Sequence, residues 1–299
     1  MSRTLRAQLL LLLTAAIWGF AFVAQRVGAG AMDAYSFNAV RFALGAASLL
    51  PVIAFLQRGR PAPAGSWRGA LLPGLIAGGL LFGGATLQQL GVGLTTAGNA
   101  GFVTGLYIVL VPMIGLGFGQ RPNRWLWWGV LLAVAGLFLL TMGDTLSMGL
   151  GDALVLAGTA FWAGHILVLE HYSRRVEPLR LALVQFAVCA LASGAVALTQ
   201  ERPFGGLDQA VVPVLYGGLM SVGVAYTLQI VGQRHAPAAT AALILSLEAA
   251  FAVLGGLVVL GESLSLRGLI GCALMLAGLL LAQVGPSSHA VEPGLDVHA

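Results

Sequence analysis

Within the stretch Ala238–Leu260, AATAALILSLEAAFAVLGGLVVL, one carboxylate, Glu248, stands among apolar and small residues. As a helix this run crosses the roughly 30 Å hydrocarbon core of a bilayer and holds Glu248 about 15 Å from either end. An ionisable group at that depth is costly and marks a functional site by default. Glu248 either binds an amino or cationic group and exchanges protons, or serves as a protonated acid bonded to a neighbouring helix. Ala241, Ala252 and Gly255 leave room on its face, while Ala238, Ala242, Ser246 and Ala250 form a second stripe suited to close helix contact.

Only 9% of the 299 residues are charged and 58% are hydrophobic, against about a quarter charged in soluble domains. The chain reads as an all-α, polytopic membrane protein whose surroundings are lipid. Ten spans are predicted: Gln8–Val27, Tyr35–Leu56, Gly69–Gly91, Ala97–Gly117, Trp125–Met142, Gly151–His171, Leu179–Thr199, Ala210–Gly232, Ala238–Leu260 and Ser265–Val284. Arg3 and Arg6 before LLLLLTAA resemble a signal peptide, but the apolar run continues to Val27 without a cleavage site and reads as the first span. Residues 285–299 read as a disordered cytoplasmic tail.

The basic residues are all arginine and are scattered through loops, so the net charge of +4 reads as topology and not as a nucleic-acid surface. With a cytoplasmic amino terminus that side collects eleven arginines (3, 6, 58, 60, 68, 121, 124, 174, 175, 180 and 234) against Arg26, Arg202 and Arg267 opposite. Both termini are therefore expected in the cytoplasm. Cys189 and Cys272 lie in apolar runs and suit packing, with no disulfide framework. No phosphate-binding loop, metal-ligand spacing or carboxylate pair is present, which excludes a primary pump and argues against an intramembrane enzyme; no cofactor or metal is expected. A receptor or assembly factor is disfavoured by the short loops.

The halves repeat. A shift of 144 residues sets Ala16 and Trp18 on Ala160 and Trp162, a shift of 141 sets Thr86, Leu87, Gln88 and Gly91 on Thr227, Leu228, Gln229 and Gly232, and a shift of 142 sets Gly129, Ala135 and Gly136 on Gly271, Ala277 and Gly278. Repeat 1 covers 8–142 and repeat 2 covers 151–284. Five spans per copy is an odd number, so the copies lie inverted in the membrane, with a substrate site expected at their interface near the midplane. The 141 shift places Tyr107 where Glu248 stands in the other copy. Thr104 and Asn99, one and two turns earlier, would line the wall opposite Glu248 with donors, or Tyr107 is simply satisfied by a backbone carbonyl. Trp18 and Trp162 either stack on a ring or pack between helices. His165, one turn beyond Trp162, is either a proton carrier or a hydrogen-bonded helix contact. Arg41, whose repeat partner is Gln185, reads as shallow enough to snorkel, as an outer gate or ion pair, or as a structural residue.

Thr95–Pro112 (TTAGNAGFVTGLYIVLVP), Ser246–Glu248 followed by a glycine pair, Arg41–Phe42, Trp18 and Trp162 together resemble the EamA-type ten-helix transporters of the drug/metabolite transporter superfamily. The resemblance implies a central cavity lined by spans 1, 3, 4, 6, 8 and 9, with Gln88, Gln89 and Gln229 at it and spans 5 and 10 as scaffold. It further implies a small-molecule substrate, an amino acid or related metabolite commonly moved outward, with a drug or nucleotide sugar as the alternative, by a monomer or homodimer in a bacterial inner membrane. The family often has proline after the ninth-span glutamate; Ala249 stands here, and a straighter ninth helix is expected.

Overall fold

The computed structural model describes residues 2–56, 58, 66–95, 97–141, 149–260 and 265–284, without the side chains of residues 66, 98, 99, 140, 141, 260, 283 and 284. The tail 285–299, Arg60, Met142 and the Asn99 side chain lie outside the described residues. Helices account for all the regular structure described: α1 (Arg3–Ala29), α2 (Ala34–Leu56), α3 (Ser66–Leu94), α4 (Ala97–Gly105), α5 (Tyr107–Gly117), α6 (Arg124–Thr141), α7 (Leu150–Ser173) and α8 (Pro178–Ala197). There follow α9 (Val211–Leu215), a π-helical segment (Tyr216–Tyr226), α10 (Thr227–Gln233), α11 (Ala238–Leu245), α12 (Glu248–Leu260) and α13 (Leu266–Val284). Eight helical stretches are long and apolar enough to cross a membrane, and α6 and α13 are shorter apolar helices that complete ten spans.

The packing repeats under exchange of the two halves. Span 1 lies against spans 9 and 8, and its counterpart, span 6, lies against spans 4 and 3; span 2 on span 8 is matched by span 7 on span 3. Spans 2 and 7 face each other, as do spans 5 and 10. This is the contact pattern of a two-fold axis, and with five spans in each half the axis lies in the membrane plane. The molecule is an all-α ten-helix membrane protein of two inverted five-helix repeats.

Spans 5 and 10 approach through glycine. A Cβ on Gly129 would stand 2.6 Å from the Gly278 carbonyl oxygen, and one on Gly278 would stand 2.5 Å from that of Gly129. Close backbone contact of this kind replaces hydrophobic drive as the source of helix association in lipid. At the mouth between spans 7 and 8, Gly206 adopts φ +78° and any Cβ there would collide with the Ala31 carbonyl.

Three spans depart from regularity. Span 4 is interrupted at Leu106 and span 9 at Ser246–Leu247, positions related by the same 141-residue shift. In span 9, even without proline, the α-helical hydrogen bonding is interrupted: Leu247 N–H turns to Ile244 O and Ala249 N–H to Ser246 O, each at 3.2 Å, while Ser246 Oγ donates to Leu243 O at 2.9 Å. These i→i−3 bonds tighten the turn as a 3₁₀ step does. Span 4 does likewise, Leu106 N–H donating to Val103 O at 3.2 Å. Span 8 is widened into π geometry, which the sequence does not announce.

Candidate functional site

Both interruptions immediately precede a residue of interest. Tyr107 opens α5 and Glu248 opens α12, and the Tyr107 hydroxyl donates to Glu248 Oε1 at 2.9 Å. Residues exchanged by a two-fold axis can touch only beside that axis, so this bond fixes the repeat interface at the centre of the bundle. Both side chains are buried.

Around them closes a cavity of about 30 Å³ bordered by spans 1, 2, 3, 4, 6, 8 and 9. It is wide enough for about one or two waters. Of the residues singled out above, Trp18, Arg41, Gln88, Thr104, Tyr107, Trp162, His165, Gln229 and Glu248 all border it. Gln89 instead donates to the Gln25 carbonyl at 3.1 Å.

Arg41 differs most from expectation. It is 2% exposed and turns inward to the cavity, so span 2 joins the predicted lining and snorkelling is ruled out. Its Nε donates to Asn38 Oδ1 at 2.9 Å, and its guanidinium carbon lies 5.0 Å from the Phe42 ring centroid and 5.5 Å from that of Phe37. Cation–π contact of this kind partly compensates a desolvated charge. Among the described residues no carboxylate lies within ion-pair distance of Arg41, and no cation within that distance of Glu248.

Tyr226 borders the same cavity as Arg41 and Glu248. Its ring is the hub of the aromatic wall: the centroids lie 4.6 Å from Trp18, 5.9 Å from His165, 6.3 Å from Trp162 and 6.1 Å from Phe42. Sequence reasoning passed over Tyr226, together with Gln25, Phe22 and Ser221. The available signal was asymmetry, because Tyr226 occupies the position of Ala85 in the first repeat, directly before the shared Thr-Leu-Gln.

Two carbonyls of the π segment accept side-chain hydrogen bonds from span 1. Trp18 Nε1 donates to Ser221 O at 3.2 Å and Thr14 Oγ1 to Ala225 O at 3.2 Å. Trp162, the repeat partner of Trp18, packs near the regular α3 and its Nε1 has no partner. Thr104 Oγ1 and Gln229 Oε1 are likewise buried at the cavity without partners. Buried polar atoms are ordinarily satisfied, so these three are available to a ligand or to water. Gln88 is partly engaged, donating to Gln25 Oε1 at 3.0 Å, and His165 Nε2 shares a 3.0 Å hydrogen bond with Gln185, the repeat partner of Arg41.

Inverted repeats enclosing a polar midplane cavity define a membrane transporter by architecture. The chain belongs to the EamA-like transporter family, whose model matches residues 5–142 and 149–283, and so to the drug/metabolite transporter superfamily. An uncharacterized transporter of Archaeoglobus fulgidus is 31% identical over 287 residues, covering 94% of this chain and 87% of that one. The threonine/homoserine exporter RhtA of Escherichia coli (strain K12) is 29% identical over 196 residues, so that 62% of this chain matches 63% of the exporter. An uncharacterized transporter, YwfM, of Bacillus subtilis is 28% identical over 170 residues, 57% of its length. The chain thus spans less than two thirds of both of these last relatives. A solved crystal structure 20% identical in sequence covers 95% of this chain with a TM-score of 0.76, a likeness of fold.

Proposed function

We propose that this transporter carries amino acids or closely related zwitterionic metabolites outward across a bacterial inner membrane, by alternating access of its central cavity. The observation that carries the reading is that one cavity holds a buried guanidinium, Arg41, and a buried carboxylate, Glu248, with neither ion-paired among the described residues. A substrate bearing a carboxylate and an ammonium satisfies both, its carboxylate on Arg41 and its ammonium on Glu248. Tyr107, Thr104, Gln229 and the Trp162 indole N–H supply further hydrogen bonds, and Tyr226 and Trp18 flank the substrate. The outward direction and the amino-acid class are supported by the similarity to a protein named as a threonine/homoserine exporter. Because the cavity holds only about one or two waters, the repeats separate to admit any such solute.

The test is ligand stabilisation of the purified protein, since a ligand of the folded state raises Tm by mass action. One or more free amino acids should raise Tm, and the corresponding N-acetyl and methyl ester derivatives, each lacking one charge, should not. Stabilisation by a flat uncharged drug or a nucleotide sugar, with none by zwitterions, would replace this reading with the alternative substrate class.

A further inference from the structure

Away from the cavity, an open depression of about 440 Å³ is bordered by Arg3, Thr4, Arg174, Arg234 and His235. Three stretches from both repeats meet there: the first turn of α1, the residue capping the end of α7 and the residues after α10. Arg174 is held at the rim, its Nε donating to the Arg234 carbonyl at 2.8 Å. Among the described residues no acidic side chain borders the depression, and the acids nearest in sequence to Arg174 are engaged elsewhere. Glu170 accepts from Gln120 Nε2 at 2.6 Å, and Glu177 accepts from the Leu179 and Arg180 amides and lies 3.9 Å from the Arg180 guanidinium. His235 is held below the ordinary histidine range, by desolvation first and then by Arg234, Arg3 and Arg174. The mutual proximity of these cations is therefore felt by the imidazole itself. Scattered arginines that only set topology have no need to converge on a concave surface. Cations gathered this way repel one another until an anion enters, and guanidinium groups match phosphate oxygens in bidentate geometry.

We propose that this depression is a binding site for a phosphate oxyanion, borne by an anionic lipid headgroup or free in solution. Bound there, the anion bridges α1 of the first repeat to α7 and α10 of the second and stabilises the arrangement of the repeats seen here. The site is separate from the central cavity and does not depend on the substrate assigned to it.

The experiment follows Tm of the purified full chain in neutral detergent at constant ionic strength. The protein is titrated with inorganic phosphate and, separately, with short-chain phosphatidylglycerol in phosphatidylcholine mixed micelles. A saturable rise in Tm with at least one of these, not reproduced by chloride, is expected. In Arg174→Gln/Arg234→Gln the half-saturating concentration should increase by about a hundredfold, as expected for two lost charge-assisted hydrogen bonds. Saturation by phosphatidylglycerol alone assigns the oxyanion to lipid, and saturation by inorganic phosphate assigns it to a phosphoryl group that need not be lipid-borne. A wild-type Tm that neither probe moves, a rise equalled by chloride, or a rise undiminished in the variant overturns the proposal. Should the double variant not fold, Arg3→Gln, on an exposed first-turn residue, replaces it with an expected weakening of about tenfold.

Discussion

Tyr107 and Glu248 are different residues at one repeat position, and that difference gives the cavity its chemistry. A strictly symmetric pair of tyrosines would leave Arg41 as the charged side chain of the cavity with no acid opposite it, and a pair of carboxylates would repel. Instead the phenol donates to the acid at 2.9 Å. Tyr107→Phe removes this bond from a buried site and should lower stability by about 1–3 kcal/mol, read as a fall in Tm of the purified protein; an unchanged Tm would mean that water or another group replaces the hydroxyl. The two opening-span tryptophans give a sharper contrast. Trp18 Nε1 bonds the Ser221 carbonyl whereas Trp162 Nε1 has no partner. Replacement by Phe removes a made hydrogen bond at Trp18 and none at Trp162, so Trp18→Phe should cost about 1 kcal/mol more stability through hydrogen bonding than Trp162→Phe. Trp162→Phe should instead weaken ligand-induced stabilisation. Equal Tm losses would show that the π-segment carbonyl contributes nothing through this bond.

At the scale of elements, helix breaks, not helices, position the site. The sequence makes each span legible as an apolar run and makes the Tyr107–Glu248 correspondence legible through the 141-residue shift. It reveals the breaks only weakly: Gly105 directly precedes Leu106, a signal the span count absorbed, whereas neither proline nor glycine stands at Ser246–Leu247. The inward turn of Arg41 was hidden for a related reason: depth along a span can be counted, but the face turned inward is set by neighbours, here Phe37, Phe42 and Asn38. Tyr226 escaped notice because reasoning from identities between the repeats overlooks positions where they differ. The break before Glu248 leads to a direct prediction for Ala249→Pro. A proline inside a helix costs about 3 kcal/mol, yet position 249 is in the first turn of α12, where its N–H makes only a 3.2 Å bond to Ser246 O. The variant should insert normally and lose less than about 1 kcal/mol; a Tm loss as large as that of proline placed at Leu243, within α11, would contradict the broken ninth span. Gly129→Leu, by contrast, forces a side chain into the Gly278 backbone and should separate spans 5 and 10, read as loss of monodispersity on size exclusion.

For the whole molecule, the inverted repeat determines the topology. The exchange-symmetric packing of ten spans places the duplicated halves across an axis in the membrane plane, and the family match divides the chain at nearly the same point, between residues 142 and 149. The arginine distribution adds an orientation: reporter fusions at residues 1 and 299 should both read cytoplasmic, and an external carboxyl terminus would contradict the even span count. On the proposed alternating-access reading the cavity opens by movement of one repeat on the other, with Tyr107 and Glu248 beside the two-fold axis that relates them. The central claim is that Glu248 is the group on which transport turns. Its most direct test is flux, in proteoliposomes, of the amino acid that most stabilises the purified protein, compared between wild type and Glu248→Gln over about pH 5.5 to 8.5. The substitution keeps shape and hydrogen-bonding capacity, so the variant should reconstitute normally while flux falls by at least about tenfold or loses its pH dependence. Flux equal to wild type across that range, from an equally well reconstituted variant, would make Glu248 a structural acid and contradict the account.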